Sequence, residues 1–289
     1  MRSAFLQNLK SRFSNTSPTK MRMTILVGLL SIVNCALVCK AWTGHARSHL
    51  YYAANINGFR GLSQLERLCK YTHLRPFLQE FTWPRESMLS LNASDADIIK
   101  DISPTVTQLR FRGVDHRCLE PRLQEAMSTF TKINKLDMTG SIFQNWTAVV
   151  RVVSSFPLLA TLAMPITSTC QDDDGFNGPR ISYPPPPGHL VHITLASGCE
   201  AETVSWIRKG PSIPNIQTVE VESKIDSKVL AKLLRSLGGR LRHLIIHIDS
   251  NRACSQFRLL KTYLIEHHSW REYLGSISIL LSPHRKYCP

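Results

Sequence analysis

The sequence lacks the short motifs by which common enzyme classes are recognised. It contains no Gly-x-Ser-x-Gly nucleophile elbow, no Gly-x-x-x-x-Gly-Lys-Ser/Thr phosphate loop, no Gly-x-Gly-x-x-Gly dinucleotide loop and no His-Glu-x-x-His zinc motif. His243 and His247 fall in a predicted strand and are expected to face outward together, with no carboxylate neighbour to complete a metal site. We therefore predict a protein that is not an enzyme, with no catalytic residue, no cofactor and no bound metal.

Closely spaced cysteine pairs are also absent. The 8 cysteines include no Cys-x-x-Cys, and at about 3% of the residues they are far sparser than in disulfide scaffolds. This distribution favours reduced cysteines in the core of an intracellular protein. Asn15, Asn92 and Asn145 begin Asn-x-Ser/Thr triplets, which carry little weight without a secretory signal.

Acidic residues are missing from the first sixty positions, which contain eight Lys or Arg, whereas the whole chain has a net charge of +14. A nucleic-acid-binding protein would gather Lys and Arg on one folded face with interleaved aromatic residues. Here more than half of the excess lies in an N-terminal segment. We therefore predict a basic, disordered tail over residues 1–22 and no nucleic-acid partner.

No apolar run reaches the roughly 18 to 20 residues of a membrane-spanning helix. The longest, residues 23–39, contains Thr24, Ser31 and Asn34. At about 1.5 Å per residue it spans roughly 26 Å, less than the ~30 Å hydrocarbon core. We interpret it as a helix buried in protein, in a cytoplasmic or nuclear chain. The alternatives are a signal peptide or membrane anchor, or, with the Ser-, Arg- and Lys-rich residues 1–22, a mitochondrial transit peptide.

Residues 34–51 read Asn-Cys-Ala-Leu-Val-Cys-Lys-Ala-Trp and, after two more residues, His-Ala-Arg-Ser-His-Leu-Tyr. This segment resembles the C-terminal half of an F-box, in the form found in large F-box families of basidiomycete fungi. The usual opening, Leu-Pro-x-Glu-Leu, is not found, and residues 14–22 stand at the corresponding distance. The resemblance implies that residues 23–51 form a short helical segment that binds a Skp-type adaptor, and through it a cullin. The adaptor-binding residues that it implies are Leu37, Val38, Cys39 and Trp42.

One pattern, apolar-x-x-apolar-x-apolar, recurs through the rest of the chain, first as Leu78, Phe81 and Trp83. Its central positions are residues 81, 109, 136, 162, 193, 219 and 244, so the steps are 28, 27, 26, 31, 26 and 25 residues. A weaker eighth copy is expected near residue 276. The alternation of apolar and polar residues within each copy predicts a short strand.

Amphipathic helices are predicted between these strands, over residues 146–156, 226–238 and 255–270. A strand, a turn and a helix in about 26 residues form the unit of a leucine-rich repeat. The predicted fold is therefore α/β: a leucine-rich-repeat solenoid over residues 52–289, with parallel strands inside and helices outside, preceded by the helical segment 23–51. The consensus Asn or Cys of such repeats is not regularly present, so the repeats are irregular.

The step of 31 residues contains an insertion, residues 169–188, with three consecutive aspartates, 172–174, and four prolines, 184–187. The insertion is either a recognition loop or an addition that a solenoid tolerates.

Together, these patterns predict the substrate-recognition subunit of a Skp–cullin–F-box ubiquitin ligase. The F-box-like segment would bind the adaptor, and the repeats would bind a protein substrate whose identity the sequence does not give. The alternative is a secreted or membrane-anchored leucine-rich-repeat interaction protein in which residues 23–39 are the signal or anchor.

Overall fold

A computed structural model defines the fold over most of the chain between residues 40 and 282. The structure describes residues 40–55, 66, 70–84, 93–114, 125, 127–139, 141–143, 145–165, 183–195, 200–209, 215–222, 227–249 and 276–282.

The described strands form one nine-stranded sheet whose spatial order is the same as the sequence order, and every neighbouring pair is parallel. The strands are β1 (Ala53–Asn55), β2 (Glu80–Pro84), β3 (Gln108–Arg112), β4 (Lys135–Asp137), β5 (Thr161–Ala163), β6 (His192–Leu195), β7 (Thr218–Glu222), β8 (His243–Asp249) and β9 (Ser276–Ser282).

The register of the sheet confirms the seven strand centres predicted from the sequence. Phe81 pairs with Leu109, and the same column continues through each predicted centre to Leu244. The eighth centre is Ile277, one residue beyond the expected position. The column also begins one strand earlier, at Ala54 in β1, a strand that was not predicted from the sequence.

A repeated backbone contact accompanies this register. In each connection from β1 to β8, the carbonyl two residues before a strand centre accepts hydrogen bonds from two successive amides of the next unit. Gln79 O, for example, accepts from Thr107 N and Gln108 N, both at 2.9 Å. The same arrangement occurs at seven carbonyls of the described residues: Tyr52, Gln79, Thr107, Asn134, Ala160, Val191 and Gln217. Each unit thus satisfies the polar backbone of the next in the same way.

The described helices are α1 (Lys40–Leu50), α2 (Ala93–Ile102), α3 (Trp146–Ser154), α4 (Glu200–Lys209) and α5 (Ser227–Leu237), with short 3-10 turns at Arg75–Phe77 and Gly238–Arg240. The α2 to α5 helices cover one face of the sheet. The strand centres from Phe81 to Leu244 and apolar side chains of α2 to α5 belong to one core cluster. An α/β fold is therefore confirmed, and its parallel strands in sequence order are compatible with a solenoid.

The α5 helix shows why the local sequence folds in this way. Leu230, Leu233, Leu234 and Leu237 lie on its core side and are buried, which contributes about 2 kcal/mol for each leucine. Gly238, predicted to end the helix, has a φ of 54°, a left-handed conformation that costs glycine little. The helix predicted over residues 146–156 is confirmed as α3, whereas the one predicted over 255–270 lies outside the described residues.

The connection between β5 and β6 is described at residues 164–165 and again from residue 183, so the aspartates 172–174 lie outside the described residues. Its proline run is held by α4, since Trp206 Nε1 donates a hydrogen bond of 2.7 Å to Pro184 O. The Trp206 ring also contacts the ring of Trp146 in α3, with centroids 6.0 Å apart in an edge-to-face arrangement. The α3 helix lies between β4 and β5, and α4 lies between β6 and β7. The contact between the two tryptophans therefore joins the helices on either side of the connection that contains the prolines.

Replacing Leu162 with Asp should lower the free energy of unfolding by several kcal/mol, because the charge would be buried among apolar neighbours without a partner. Leu162 is fully buried. The matched change at the preceding residue, Thr161→Asp, places the charge on the outer side of the same strand and should alter stability by under about 0.5 kcal/mol. Urea unfolding measures both, and equal losses would contradict the assignment of the two faces.

Replacing Trp206 with Phe should cost about 2 kcal/mol, because the change removes the hydrogen bond to Pro184 and part of a buried ring. Trp146→Phe is the control, since it shrinks the other ring of the same contact and leaves that hydrogen bond in place. Trp206→Phe should have a lower midpoint of thermal unfolding than Trp146→Phe. The reverse order would show that the hydrogen bond does not anchor the proline run.

Candidate functional site

The candidate site is the face of the sheet that the helices do not cover. It consists of the residues immediately before and after each strand centre, and we call it the polar face. From β3 to β8 these residues are partly or fully exposed, whereas each centre between them is buried. They are Gln108, Arg110, Lys135, Asp137, Thr161, Ala163, His192, Thr194, Thr218, Glu220, His243 and Ile245.

A charged cluster crosses the first part of the polar face. Arg110 of β3 lies between two carboxylates, with Nη1 3.0 Å from Glu80 Oε1 and Nε 2.9 Å from Asp137 Oδ2. Asp137 Oδ1 in turn accepts hydrogen bonds from the amide and the hydroxyl of Thr139 at 3.1 and 2.6 Å. Through these two ion pairs, the Arg110 side chain links β3 to both β2 and β4. Lys135 on β4, beside Asp137, supplies a second cationic side chain at the surface.

A second cluster crosses β6, β7 and β8, centred on Glu220. His247 Nε2 lies 2.5 Å from Glu220 Oε1, and Thr194 Oγ1 donates to Oε2 at 3.1 Å. His192 Nε2 lies 3.4 Å from the same Oε2 but makes no well-directed hydrogen bond, so its contact is mainly electrostatic. The Glu220 side chain is 27% exposed, and its charge is therefore only partly screened by water.

These neighbours change the acidity of Glu220. The nearby His192 lowers the pKa of Glu220 from 4.5 to about 2, together with His247 and the hydroxyl of Thr194, and against the opposing effect of partial burial. A carboxylate that accepts hydrogen bonds and faces imidazoles is favoured in its ionised form. Glu220 therefore carries a negative charge on the polar face at every physiological pH.

Glu220→Gln should reduce stability at pH 7, because the folded protein favours the carboxylate more than the unfolded chain does. A shift from 4.5 to about 2 corresponds to at most about 3 kcal/mol, and solvent screening reduces the expected loss to about 1–2 kcal/mol. Because the folded pKa is depressed, this contribution is fully present above pH 4.5. It should disappear as the pH falls from 4.5 towards 2. Urea unfolding at pH 7 and pH 3 measures it.

The control for this experiment is Glu66→Gln. Glu66 pairs with Lys70 at 2.9 Å, but both side chains are more than half exposed, so its loss should cost under about 0.5 kcal/mol. An equal effect of the two changes at pH 7, or a Glu220→Gln loss that persists unchanged at pH 3, would contradict the account of the Glu220 cluster.

The structure brings together site residues that the sequence reasoning had kept apart. His243 and His247 lie on the same side of β8, as predicted. The expectation that no carboxylate lies near them was wrong for His247, because Glu220 on the neighbouring strand contacts it. The repeat period could have revealed this contact, since the centres at 219 and 244 place residues 220 and 247 on the same face of adjacent strands.

Among the described residues, no group of three or more His, Cys, Asp or Glu side chains has the arrangement of a metal site.

The residues predicted to bind an adaptor are only partly described. Trp42 lies in α1, whereas Leu37, Val38 and Cys39 lie outside the described residues. The α1 helix contacts the 3-10 turn Arg75–Phe77, buries Ala46 and is followed after two residues by β1. This helix therefore packs at the beginning of the sheet.

Asn145, in one of the Asn-x-Ser/Thr triplets, has a structural role. Its side-chain oxygen accepts a hydrogen bond of 2.9 Å from Ala148 N and caps the N-terminus of α3, a preferred role for asparagine.

No helix in the described residues combines the length and the apolar character of a bilayer span.

Comparison with known proteins adds no assignment. A scan against protein-family models gives no match, and a search of curated proteins gives no significant match.

Proposed function

We propose that the protein is a non-catalytic substrate-recognition subunit of a Skp–cullin–F-box ubiquitin ligase, acting in the cytoplasm or nucleus. In this proposal the chain from β1 onward is an irregular leucine-rich-repeat solenoid. Its polar face holds a protein substrate, and the F-box-like segment binds a Skp-type adaptor that links it to a cullin.

The observation that carries the proposal is the single column of strand centres from Ala54 to Ile277. Units of about 26 residues that add parallel strands in sequence order are typical of leucine-rich repeats. The seven repeated carbonyl contacts support the same interpretation, because in each of these connections the amides of one unit bond the backbone of the unit before it.

The polar face supports a role in binding protein. Its two charged clusters, around Arg110 and Glu220, lie four strands apart, or about 19 Å at the usual strand spacing. Between them, β5 presents only Thr161 and Ala163, which are small and uncharged. Charges that flank a neutral strip give a partner both contact area and a defined orientation.

The F-box resemblance supports the adaptor assignment. Trp42, which the resemblance implies as an adaptor-binding residue, lies in the first turn of α1, a helix that packs at the beginning of the sheet. An adaptor bound at this helix would lie beside the first strands and leave the polar face open to a substrate. A large aromatic residue near the centre of an interface commonly provides much of its binding energy.

Trp42→Ala should weaken binding of a purified Skp-type adaptor by about 2 kcal/mol or more, roughly thirtyfold, if Trp42 is a buried anchor of the interface. Tyr71→Ala is the matched control, because Tyr71 is an aromatic residue that is 56% exposed and lies outside the F-box-like segment. Isothermal titration calorimetry with both variants and the wild-type chain measures the difference.

A second chain controls for the absent opening of the F-box. In it, residues 14–22 are replaced by a Leu-Pro-x-Glu-Leu opening and the helix that follows it. If the natural chain and this chain both fail to bind the adaptor while circular dichroism shows the repeats folded, the ubiquitin-ligase proposal is contradicted. If the restored chain binds and Trp42→Ala abolishes that binding, the proposal is supported.

A further inference from the structure

Two histidines on α1 form a cluster outside the polar face. His45 and His49 are four residues apart and therefore lie on the same side of the helix. Both are exposed, and their ring centroids are 4.6 Å apart at an interplanar angle of 86°. The helix backbone holds the two residues one turn apart, and Ala46, the residue after His45, is buried.

The ring separation matches the geometry of two imidazoles on one metal ion. With metal–nitrogen distances near 2.0–2.1 Å, two coordinated rings have centroids about 4.5 Å apart at a right angle and about 5.2 Å apart at a tetrahedral angle. The observed 4.6 Å lies at the right-angle value, which is typical of Cu²⁺ and Ni²⁺. Rotation about the terminal side-chain torsion, which is soft, would turn a nitrogen of each ring towards one ion.

The electrostatic position of the pair also suits a cation. His49 is next to the last residue of α1, where the helix dipole favours positive charge. The one charged residue between the two histidines is Arg47. It is two positions from each of them and therefore projects to a different side of the helix.

We propose that His45 and His49 form a two-histidine chelate for a divalent transition-metal ion, with Cu²⁺ and Ni²⁺ preferred and Zn²⁺ accepted. No third His, Cys, Asp or Glu of the described residues completes a metal cluster, so water fills the remaining coordination positions. Binding requires neutral imidazoles and therefore weakens in acid. This proposal is independent of the ubiquitin-ligase proposal, because it depends only on the geometry of α1.

The test is a titration of the full chain with Ni²⁺ at pH 7.5, followed by calorimetry. Wild-type protein should bind one Ni²⁺ ion per chain at this site. His49→Gln should weaken that binding by at least about tenfold, because the chelate loses its second ligand. His189→Gln, which removes a single exposed histidine in the connection before β6, should leave that site intact. Comparing variants separates this site from any metal bound by the cysteines, which all variants retain.

A spacing control makes the test specific to the helix. The double variant Arg47→His, His49→Gln keeps two histidines on α1 but separates them by two residues, which points them to different sides. It should not recover the site. Wild-type protein should also show a Ni²⁺-dependent rise in the midpoint of thermal unfolding that His49→Gln lacks. Identical isotherms for wild-type protein and His49→Gln, or full recovery in the double variant, would overturn the proposal.

Discussion

The whole structure depends on burying one apolar strand face that no single unit can cover. Each described centre, from Phe81 to Leu244, lies in a strand of only three to seven residues, too short to form a stable sheet alone. Packing becomes favourable only when neighbouring units place their centres side by side and share the helices above them. The single core cluster from Leu78 to Ile246 is the result, and a charge placed at any centre disrupts its neighbours as well.

The same constraint determines where function can lie. Because strand side chains alternate, burying every centre leaves the flanking residues on the opposite face. Their polar groups are then free to pair across strands, as Arg110 does with Glu80 and Asp137. Glu220 pairs in the same way on the later strands, where its neighbours keep it ionised. A rigid surface with charges at fixed positions would lose little entropy on binding a partner, as the proposed recognition of a protein substrate requires.

The period of apolar residues was sufficient to predict seven strand centres, because each has its apolar triplet. It was not recognised at Ala54, where the triplet Tyr51, Ala54 and Ile56 has only a small central residue. At the last strand the expected position was one residue before the true centre, Ile277. Helices α2 and α4 were not identified, because their polar residues obscure the apolar stripe that is plain in α5. The Glu220 cluster was missed for another reason, since its contacts join residues 26 to 28 positions apart and become visible only when the register is applied to both faces. The pairing of Trp146 with Trp206 depends on packing two units apart, which no local pattern encodes.

Hydrogen–deuterium exchange, on a chain with a restored F-box opening, tests most directly whether the N-terminal segment and the sheet have separate roles. Exchange is measured with and without a saturating Skp-type adaptor. We predict slower exchange in peptides covering residues 37–50 on adaptor binding, with unchanged exchange in strands β3 to β8. Protection of the strands without protection of residues 37–50 would place the adaptor on the polar face and contradict the account.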